Sequence, residues 1–206
     1  DMKKNIWILN HYASNGIGRH YKFAQNLTKR GYNVKIFAAS TIHNSNKNRI
    51  NDSRKYIEEI EDTISCVYIR ARNYKGNGKD RILNMIDYAY GLLSVSKKFD
   101  SEKPDIIYAS SVHPLTWLSG YILSKRYDAK FIAETRDLWP ETLVAMGQIK
   151  KNSIPAKLLY KLEKFIYKKA DRLIFTFPGG KDYVEEIGLD PSKVRYINNG
   201  VDLEEY

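Results

Sequence analysis

Short apolar runs alternate with longer segments whose apolar residues recur at helical spacing along most of the chain. The first run, Asn5–Leu9, is followed by segment 18–29, which has helical spacing and a glycine just after its end. Further strands are predicted at 33–38, 66–70, 104–109, 130–134, 172–176 and 194–197, and further helices at 81–99, 113–126, 155–170 and 180–187. Short apolar strands that alternate with helices are typical of a parallel sheet covered on both faces. The pattern therefore predicts an α/β fold with one doubly wound sheet.

The helix predicted over 81–99 carries its apolar residues on one stripe, which is the pattern of a helix packed against a sheet. The stripe consists of Ile82, Ile86, Ala89 and Leu93. Two polar segments, 40–53 and 74–79, interrupt the alternation and are predicted to be loops. No linker and no internal repeat divides the chain, so the sequence indicates a single domain over residues 1–206.

The helix predicted over 155–170 is strongly basic. Ser153 is placed to cap it, and Pro155 suits its first turn. Segment 150–169 has seven lysines and one acid, Glu163, which gives a local net charge of +6. Lysines at 157, 161, 164 and 168 recur at near-helical spacing, with Leu158, Leu162, Phe165 and Ile166 on the other side. Two interpretations stand: a core-facing helix with a solvated lysine face, or a surface that meets anionic lipid through long lysine stems.

The amino-acid composition restricts the classes of binding partner and the cellular compartment that are expected. The formal net charge of +10 favours anionic partners, namely nucleic acid, anionic lipid or phosphate-bearing substrates. The single cysteine, Cys66, excludes an intramolecular disulfide, suits a reducing compartment and is expected to be a small buried strand residue. No apolar run approaches the roughly 20 residues that span a bilayer. The first strand begins directly after Lys4, so no signal peptide is expected.

The loop after the first strand, 10–20, is the first candidate site, because ligands of doubly wound sheets bind at the carboxyl ends of strands. Gly16 and Gly18 precede a helix, where a phosphate can approach backbone N–H groups; a tight turn without a ligand is the alternative. A dinucleotide fingerprint requires a glycine where Tyr21 stands and an acid after the second strand, and both are missing. A P-loop is excluded because no Gly-Lys-Ser/Thr follows the glycines.

Polar residues also follow two later strands. His113 opens a helix and is placed to hydrogen-bond a substrate, unless its ring lies in solvent. Glu134, Arg136 and Asp137 put three charges within four residues at the mouth of a buried strand. Such charges are costly unless they pair with one another or meet a ligand. The structural alternative is a pair of Arg136 with Asp137 or Glu134, with Trp139 packed under the loop.

Four motifs in one order resemble the family 4 glycosyltransferases. They are Asn-Gly-Ile-Gly-Arg-His at 15–20, Glu-Thr-Arg-Asp-Leu-Trp-Pro-Glu at 134–141, Lys-Ala-Asp at 169–171 and Asn-Gly-Val-Asp at 199–202. The stretch 136–141 is similar to the branch of bacterial N-acetylfucosaminyl and related amino-sugar transferases. The resemblance spans nearly the whole chain and implies a GT-B architecture, in which two Rossmann-like domains face a cleft. This chain is then expected to be the N-terminal, acceptor-side domain, a Rossmann-like parallel sheet with helices on both faces, and the C-terminal nucleotide-sugar domain is expected to lie outside it.

The resemblance also implies roles for individual residues. Gly16 is expected beside the donor diphosphate, and the substrate-binding set is Asn15, Gly16, Arg19, His113 and Glu134. Arg136 and Asp137 fall where many relatives carry a His-Asp or His-Thr pair near the reacting sugar, so they are the predicted catalytic residues. Arginine at 136 is a departure, and it cannot act as a base at neutral pH. A hydrogen-bonding or charge-stabilising role is therefore predicted for Arg136.

The implied activity is that of a retaining glycosyltransferase that needs no metal and no cofactor. It transfers a sugar from a nucleotide sugar, expected to be UDP-linked, to a saccharide on a polyprenyl diphosphate in capsule, O-antigen or exopolysaccharide synthesis. The four histidines lack metal-ligand spacing. The expected location is the cytoplasmic face of the plasma membrane, with an anionic membrane surface and the C-terminal domain as partners and no nucleic acid.

Two other functions remain open at this point. One is another GT-B enzyme, such as a sugar-nucleotide epimerase. The other is a non-catalytic domain that binds a nucleotide or an anionic glycan. The glycosyltransferase hypothesis predicts that this half alone is inactive and binds the donor weakly, whereas a binding domain is expected to bind it tightly.

Overall fold

The computed structural model describes residues 3–43, 45–145 and 147–200. The strands are β1 (Asn5–Leu9), β2 (Asn33–Ala39), β3 (Tyr56–Glu61), β4 (Ile64–Ile69), β5 (Ile106–Ser111), β6 (Lys130–Thr135), β7 (Arg172–Phe175) and β8 (Val194–Tyr196). The helices are α1 (Arg19–Lys29), α2 (Lys79–Val95), α3 (Pro114–Tyr127), α4 (Glu141–Ala145), α5 (Ile154–Lys169) and α6 (Gly180–Glu186). Short 3₁₀ segments follow α2 at Ser96–Glu102 and precede β8 at Pro191–Lys193.

All eight strands form one sheet in the order β3-β4-β2-β1-β5-β6-β7-β8. Every described neighbour pair is parallel except β3 with β4. The expected α/β fold is confirmed, but the expectation of a purely parallel sheet is wrong at this edge. Asp62 and Thr63 take positive φ angles of 47° and 67°, and this tight turn reverses the chain into an antiparallel hairpin.

The core lies on both faces of the sheet, so the prediction of helices on both faces is confirmed. One face packs against α2, α3 and α5, and its largest buried side chains include Trp7, Phe37 and Trp117. The opposite face of β1, β2 and β4 is covered by α1, which contributes Tyr21 and Ala24. Alternate residues of each central strand serve the two cores, which is why these strands read as continuous apolar runs. Cys66 of β4 is buried there, as expected.

The predicted stripe of α2 is only partly right, since Leu93 packs against the core but the first half of the stripe does not. Asn84, Tyr88, Leu92 and Val95 face the core, whereas the side chains of Ile82 and Ile86 are 57% and 46% exposed. Asn84 points inward because its amide hydrogen-bonds a buried histidine and two partners from the loops after β2 and β4. Those polar contacts turn the helix away from the orientation that apolar burial alone predicts.

Helix α5 confirms its predicted cap, since the Ser153 side chain accepts from the Ala156 N–H. The lysines at 157, 161, 164 and 168 are exposed, as predicted. The prediction of an apolar side opposite the lysines is only partly right. Ile166 is buried, but the side chains of Leu158 and Phe165 are 61% and 39% exposed. Glu163 is buried in their place. The helix therefore presents apolar and basic side chains together on its outer surface.

The sheet has one topological switch point. The chain proceeds from β1 to β2 and β4 on one side, and from β5 through β8 on the other. In such sheets the ligand crevice lies beyond the carboxyl ends of the two strands at which the order reverses, here β1 and β5. The Gly-rich loop follows β1, and His113 follows β5. The last strand ends as predicted near 197, and Val201 and Asp202 of the fourth motif lie outside the described residues.

Candidate functional site

The loop between β1 and α1 is held in a fixed shape. Gly16 and Gly18 take φ angles of 79° and 90°, which only glycine adopts without strain. The Asn10 side chain accepts from the Tyr12 N–H at 3.1 Å, and the Asn15 N–H donates to the Tyr68 hydroxyl at 2.8 Å. The Asn15 amide oxygen is buried and has no partner. A Cβ at position 16 would lie in ordinary contact with the Glu61 carboxylate, 3.4 Å away, so the positive φ and not a lack of space favours glycine there.

A pocket of about 200 Å³ opens between this loop and the loop after β6. Its walls include Tyr12, Ser14, Gly18 and Arg19 from the first loop and Arg136 from the second. The structure thus brings Arg136 to the Gly-rich loop, as expected for one site. The first turn of α1 contains no acid and no side-chain cap, so the N–H groups of this turn keep their positive character.

Glu134 lies directly behind the pocket and is fully buried. Its Oε1 accepts from His20 Nε2 and Ser110 Oγ, both at 2.8 Å. Its Oε2 accepts from Arg19 Nη2 at 2.9 Å and from the Tyr108 hydroxyl. Burial raises the pKa of this carboxyl, but the His20 and Tyr108 hydrogen bonds and the Arg19 charge outweigh it and lower the pKa to about 2. Both oxygens of the carboxylate are thus engaged within the chain, where they position Arg19 and His20, and the predicted substrate contact of Glu134 stays a prediction.

The His20 tautomer follows from its neighbours. Asn10 accepts from a backbone N–H through its oxygen, so its amide nitrogen faces His20 Nδ1 at 2.6 Å. His20 Nδ1 is therefore the acceptor, and Nε2 carries the proton that is donated to Glu134. Two polar side chains that were not predicted, Asn10 and His20, thus complete the support of the pocket.

The Arg19 guanidinium donates hydrogen bonds to several groups of the same chain. Besides Glu134, it donates to the backbone carbonyls of Ile197 at 2.9 Å and Asn198 at 2.5 Å. Its side chain is 8% exposed. Arg19 thus links the Gly-rich loop to the segment after β8 while it also lines the pocket. Its predicted contact with substrate stays a prediction.

His113 is buried, so the alternative of a solvated ring is wrong. Its Nδ1 has no hydrogen-bond partner, and its predicted contact with substrate stays a prediction. The Asn84 amide nitrogen donates to Thr41 Oγ1 and the Arg72 carbonyl, which leaves its oxygen for His11 Nε2–H at 2.8 Å. His11 Nδ1 then accepts from His113 Nε2–H at 2.9 Å. Burial lowers the pKa of His11 to about 4 and that of His113 well below its usual value. Both rings are neutral at pH 7 and tie β1, β5 and α2 together.

His11 is a residue that the sequence reasoning missed. The available signal was its place at the carboxyl end of β1, beside the strand that precedes His113.

Arg136 and Asp137 stand apart from this buried network. Arg136 is half-buried, and its backbone N–H donates to Ser111 Oγ at 3.4 Å. Among the described residues no carboxylate lies within ion-pair distance of its guanidinium, so the alternative of a structural pair with Glu134 or Asp137 is not found. Asp137 is exposed. Among residues 3–43, 45–145 and 147–200 the Arg136 guanidinium has no carboxylate counter-ion, and it lies beside a helix N-terminus. This combination suits an anionic ligand.

The described residues contain neither a cluster of metal ligands nor a helix that could span a membrane. No three His, Cys, Asp or Glu side chains within 3–43, 45–145 and 147–200 are grouped so that they could hold a metal ion. Within the same ranges, no helix has the length and apolar character needed to cross a membrane.

Comparison with known sequences gives a family and one curated relative. The model of Glycosyltransferase Family 4 matches residues 14–205. A protein of Pseudomonas aeruginosa described as "Probable glycosyltransferase WbjE" is 30% identical over 128 residues, which are 62% of this chain and 32% of that protein. The chain thus spans about a third of the length of the curated relative that it matches.

Solved structures share the fold at low identity. Sucrose-phosphate synthase from Thermosynechococcus elongatus superposes with a TM-score of 0.65 at 16% identity, over 98% of this chain and 49% of that one. A structure described as "Trehalose-6-phosphate from E. coli bound with UDP-2-fluoro glucose" gives 0.60 at 11% identity, over 98% and 50%. A UDP-N-acetylglucosamine 2-epimerase gives 0.53 at 12% identity, over 96% and 49%. Because the likeness includes an epimerase, it establishes the fold and not the reaction.

Proposed function

The chain belongs to glycosyltransferase family 4, and we propose that it is the N-terminal, acceptor-side domain of a retaining GT-B glycosyltransferase. In this proposal a second domain supplies most of the nucleotide-sugar site. The acceptor is a saccharide on a polyprenyl diphosphate, and the product belongs to a bacterial surface polysaccharide. The nucleotide sugar is UDP-linked, which is supported by the UDP or UDP-sugar complexes of several proteins of the same fold.

The observation that carries the proposal is the environment of Arg136. Its guanidinium has no carboxylate partner among the described residues and shares a pocket with the Gly-rich loop and the start of α1, beside the switch point of the sheet. A diphosphate in the cleft would meet the Arg136 charge, backbone N–H groups and the positive end of the helix. Fixed groups of this kind stabilise charge that develops during a reaction without reorganising.

The chemistry requires such stabilisation. The bond between the anomeric carbon and the diphosphate oxygen breaks, and a bond to an acceptor hydroxyl oxygen forms. The hydroxyl proton leaves with the departing nucleoside diphosphate. Positive charge develops on the sugar ring and negative charge on the diphosphate, so Asp137 serves the sugar and Arg136 serves the leaving group. Arg136 contributes a fixed positive charge and takes no part in proton transfer.

Helix α5 supports the membrane part of the proposal. Ile154 and Leu158 are 75% and 61% exposed and lie on the outer face with Phe165. Lys161 and Lys168 flank this apolar ridge on the same helix. Apolar side chains that enter the headgroup region, bordered by lysines, are typical of helices that lie on an anionic membrane surface. The domain would thereby be held where a lipid-linked acceptor resides.

Titration of the ¹⁵N-labelled chain with UDP-glucose and UDP-N-acetylglucosamine, followed by NMR, tests the site. We expect weak binding that shifts the backbone amides of Gly16, Gly18 and Arg136. Arg136→Ala should abolish these shifts, whereas Arg172→Ala, an exposed arginine at the amino end of β7, should not. Absence of shifts at this loop with both donors would refute the site. Tight binding by this chain alone would favour a stand-alone nucleotide-binding domain.

A further inference from the structure

A second pocket opens at the same edge of the sheet. Its volume is about 540 Å³, which falls in the range of small-molecule sites. It lies between the loop after β2 and the loop that precedes α2. The residues that matter here are His43, Asn46, Tyr74, Lys75, Asn77 and Arg81. None of them belongs to the Arg136 pocket.

Aromatic rings form one side of this pocket and are fixed by their contacts. The Tyr12 ring stacks on His43 with centroids 4.2 Å apart and planes at 35°. The Tyr12 hydroxyl accepts from Arg81 Nη2 at 3.2 Å and from the Tyr74 hydroxyl at 3.4 Å. The Tyr74 hydroxyl is also 3.1 Å from His43 Nδ1. The rings are thus held in place before any ligand arrives.

The charged side chains among the described lining residues of the second pocket are all positive. Lys75 and Arg81 are cations, and no carboxylate occurs among the described lining residues. Burial, and then the Arg81 charge, lower the pKa of His43, which makes the ring neutral at pH 7. The nearest acid in the sequence, Asp80, is not a lining residue. Two positive charges beside flat rings and side-chain amides attract a polar ligand with negative charge.

Tyr12 connects the two pockets. It lines the pocket that contains Gly18 and Arg136, and its hydroxyl is bonded to Tyr74 and Arg81 of the second pocket. A sugar stacked at the second pocket would therefore lie next to the proposed donor site. A transferase needs this relation, because the acceptor hydroxyl must reach the anomeric carbon of the donor.

We propose that the second pocket is the acceptor subsite and that it binds a saccharide with a negative charge, carried by a carboxylate or a phosphate. The rings of His43 and Tyr74, which line the pocket, offer apolar faces to a sugar ring, while Asn46 and Asn77 bind its hydroxyls. Tyr12 supports His43 from behind by stacking. Lys75 and Arg81 bind its anionic group. The inference rests on the proposed glycosyltransferase function, and it adds the charge class of the acceptor.

The test is NMR titration of the ¹⁵N-labelled chain with three sugars: glucuronate, glucose 6-phosphate and neutral methyl glucoside. At least one charged sugar should shift the amides of Gly76 and Asn77 and bind about tenfold tighter than methyl glucoside, a difference of about 1.4 kcal/mol. The tighter of the two charged sugars identifies the carboxylate or the phosphate as the group recognised. Lys75→Gln should weaken binding roughly threefold. Lys98→Gln, an exposed lysine beyond the far end of α2, should leave it unchanged.

Two results would overturn the inference: charged sugars that leave Gly76 and Asn77 unshifted, or a neutral sugar that binds there equally well. A UDP-glucose titration of the same sample separates this failure from failure of the proposed function. Shifts at Gly16 and Gly18 without any at Gly76 would retain the transferase and reject the subsite. The reverse pattern would retain a sugar site and reject the donor site.

Discussion

Glu134 shows how a single carboxylate organises the pocket, because its two oxygens hold His20, Ser110, Tyr108 and Arg19 at once. Glu134→Gln keeps the shape but removes the charge from a buried ion pair. We expect a loss of about 3–5 kcal/mol in the free energy of unfolding at pH 7. Urea denaturation measures this loss, and Glu59→Gln on the exposed edge strand is the matched control.

The contribution of Glu134 to the free energy of unfolding should also depend on pH in the acidic range. The folded pKa of about 2 lies below the usual value of 4.5, so the contribution of Glu134 is complete above pH 4.5 and is lost as the pH falls toward 2. The difference between wild type and Glu134→Gln should therefore shrink over that interval. A difference that stays constant from pH 7 to pH 3 would show that the carboxylate charge does not stabilise the fold.

Arg136 and Asp137 carry the catalytic prediction. In the proposed two-domain enzyme, Arg136→Ala should lower kcat/KM by about 10²-fold or more, as does removal of a group that stabilises transition-state charge. Asp137→Asn should also lower kcat. Neither residue has a side-chain partner in an ion pair of the described chain, so stability should change by less than about 0.5 kcal/mol. Arg172→Ala serves as the control. Near-normal kcat in both the Arg136 and the Asp137 variant would show that these residues are not catalytic.

The sequence predicted that the loops of the candidate site lie together, but it did not predict the contacts of individual side chains. The loops at 10–20 and 134–141 do meet, because both follow strands whose carboxyl ends share one edge of the sheet. Arg19, His113 and Glu134 each have hydrogen-bond partners far away in sequence, and these contacts were not predicted. No local pattern reveals that a polar side chain will be fully paired inside the fold.

At the scale of elements, α5 contains an unusual buried acid. Burial, together with the Glu141 charge, raises the pKa of Glu163 to about 8 despite the hydrogen bond from Tyr183. Its folded pKa lies above the unfolded value, so the protein should lose stability as the pH rises from about 4.5 to about 8. Glu163→Gln copies the protonated form and should match wild type at pH 5. At pH 9 it should be about 1–3 kcal/mol more stable, the usual penalty of a poorly satisfied buried polar group.

Urea denaturation at pH 5 and pH 9 measures this difference. Glu185→Gln, exposed on α6, should be neutral at both pH values. A Glu163→Gln variant that is destabilised at pH 9 would contradict the account of this acid.

The outer face of α5 predicts membrane binding. Vesicles that contain phosphatidylglycerol should bind the chain in a salt-sensitive way, and Leu158→Ser with Phe165→Ser should weaken this binding by removing apolar insertion. Lys161→Gln with Lys164→Gln should weaken it by about 1 kcal/mol for each lysine. Lys97→Gln with Lys98→Gln removes the same charge elsewhere and should have little effect. If both pairs of lysine substitutions weakened vesicle binding equally, binding would depend on net charge alone. That result would reject α5 as the contact with the membrane.

Elements differ in how far the sequence predicts them. The central strands were predicted correctly because they are buried on both sides and read as apolar runs. β3 was missed because it is an edge strand with three glutamates and four exposed residues, a pattern that resists pairing with other chains. The stripe of α2 was wrong at Ile82 and Ile86, where the hydrogen bonds of Asn84 draw a different side of the helix inward. Short α4 has no buried residue and no apolar pattern that would reveal it.

At the scale of the whole molecule, the sheet order places the two loops of the site and both pockets along one edge. The switch between β1 and β5 follows from strand order, which the alternation of strands and helices does not specify. The sequence motifs supplied the family, and the structure supplies the geometry in which Arg136 faces the Gly-rich loop. The account thus depends on sugar transfer from a nucleotide sugar at this edge.

Transfer of radiolabelled sugar is the most direct test of that claim. The enzyme is incubated with a panel of UDP-sugars and with membranes from a strain that lacks its gene and therefore retains the acceptor. The account predicts label in the lipid-extractable fraction with wild-type enzyme and about 10²-fold less with Arg136→Ala. No label in that fraction with any UDP-sugar, or release of an isomerised nucleotide sugar instead, would contradict it.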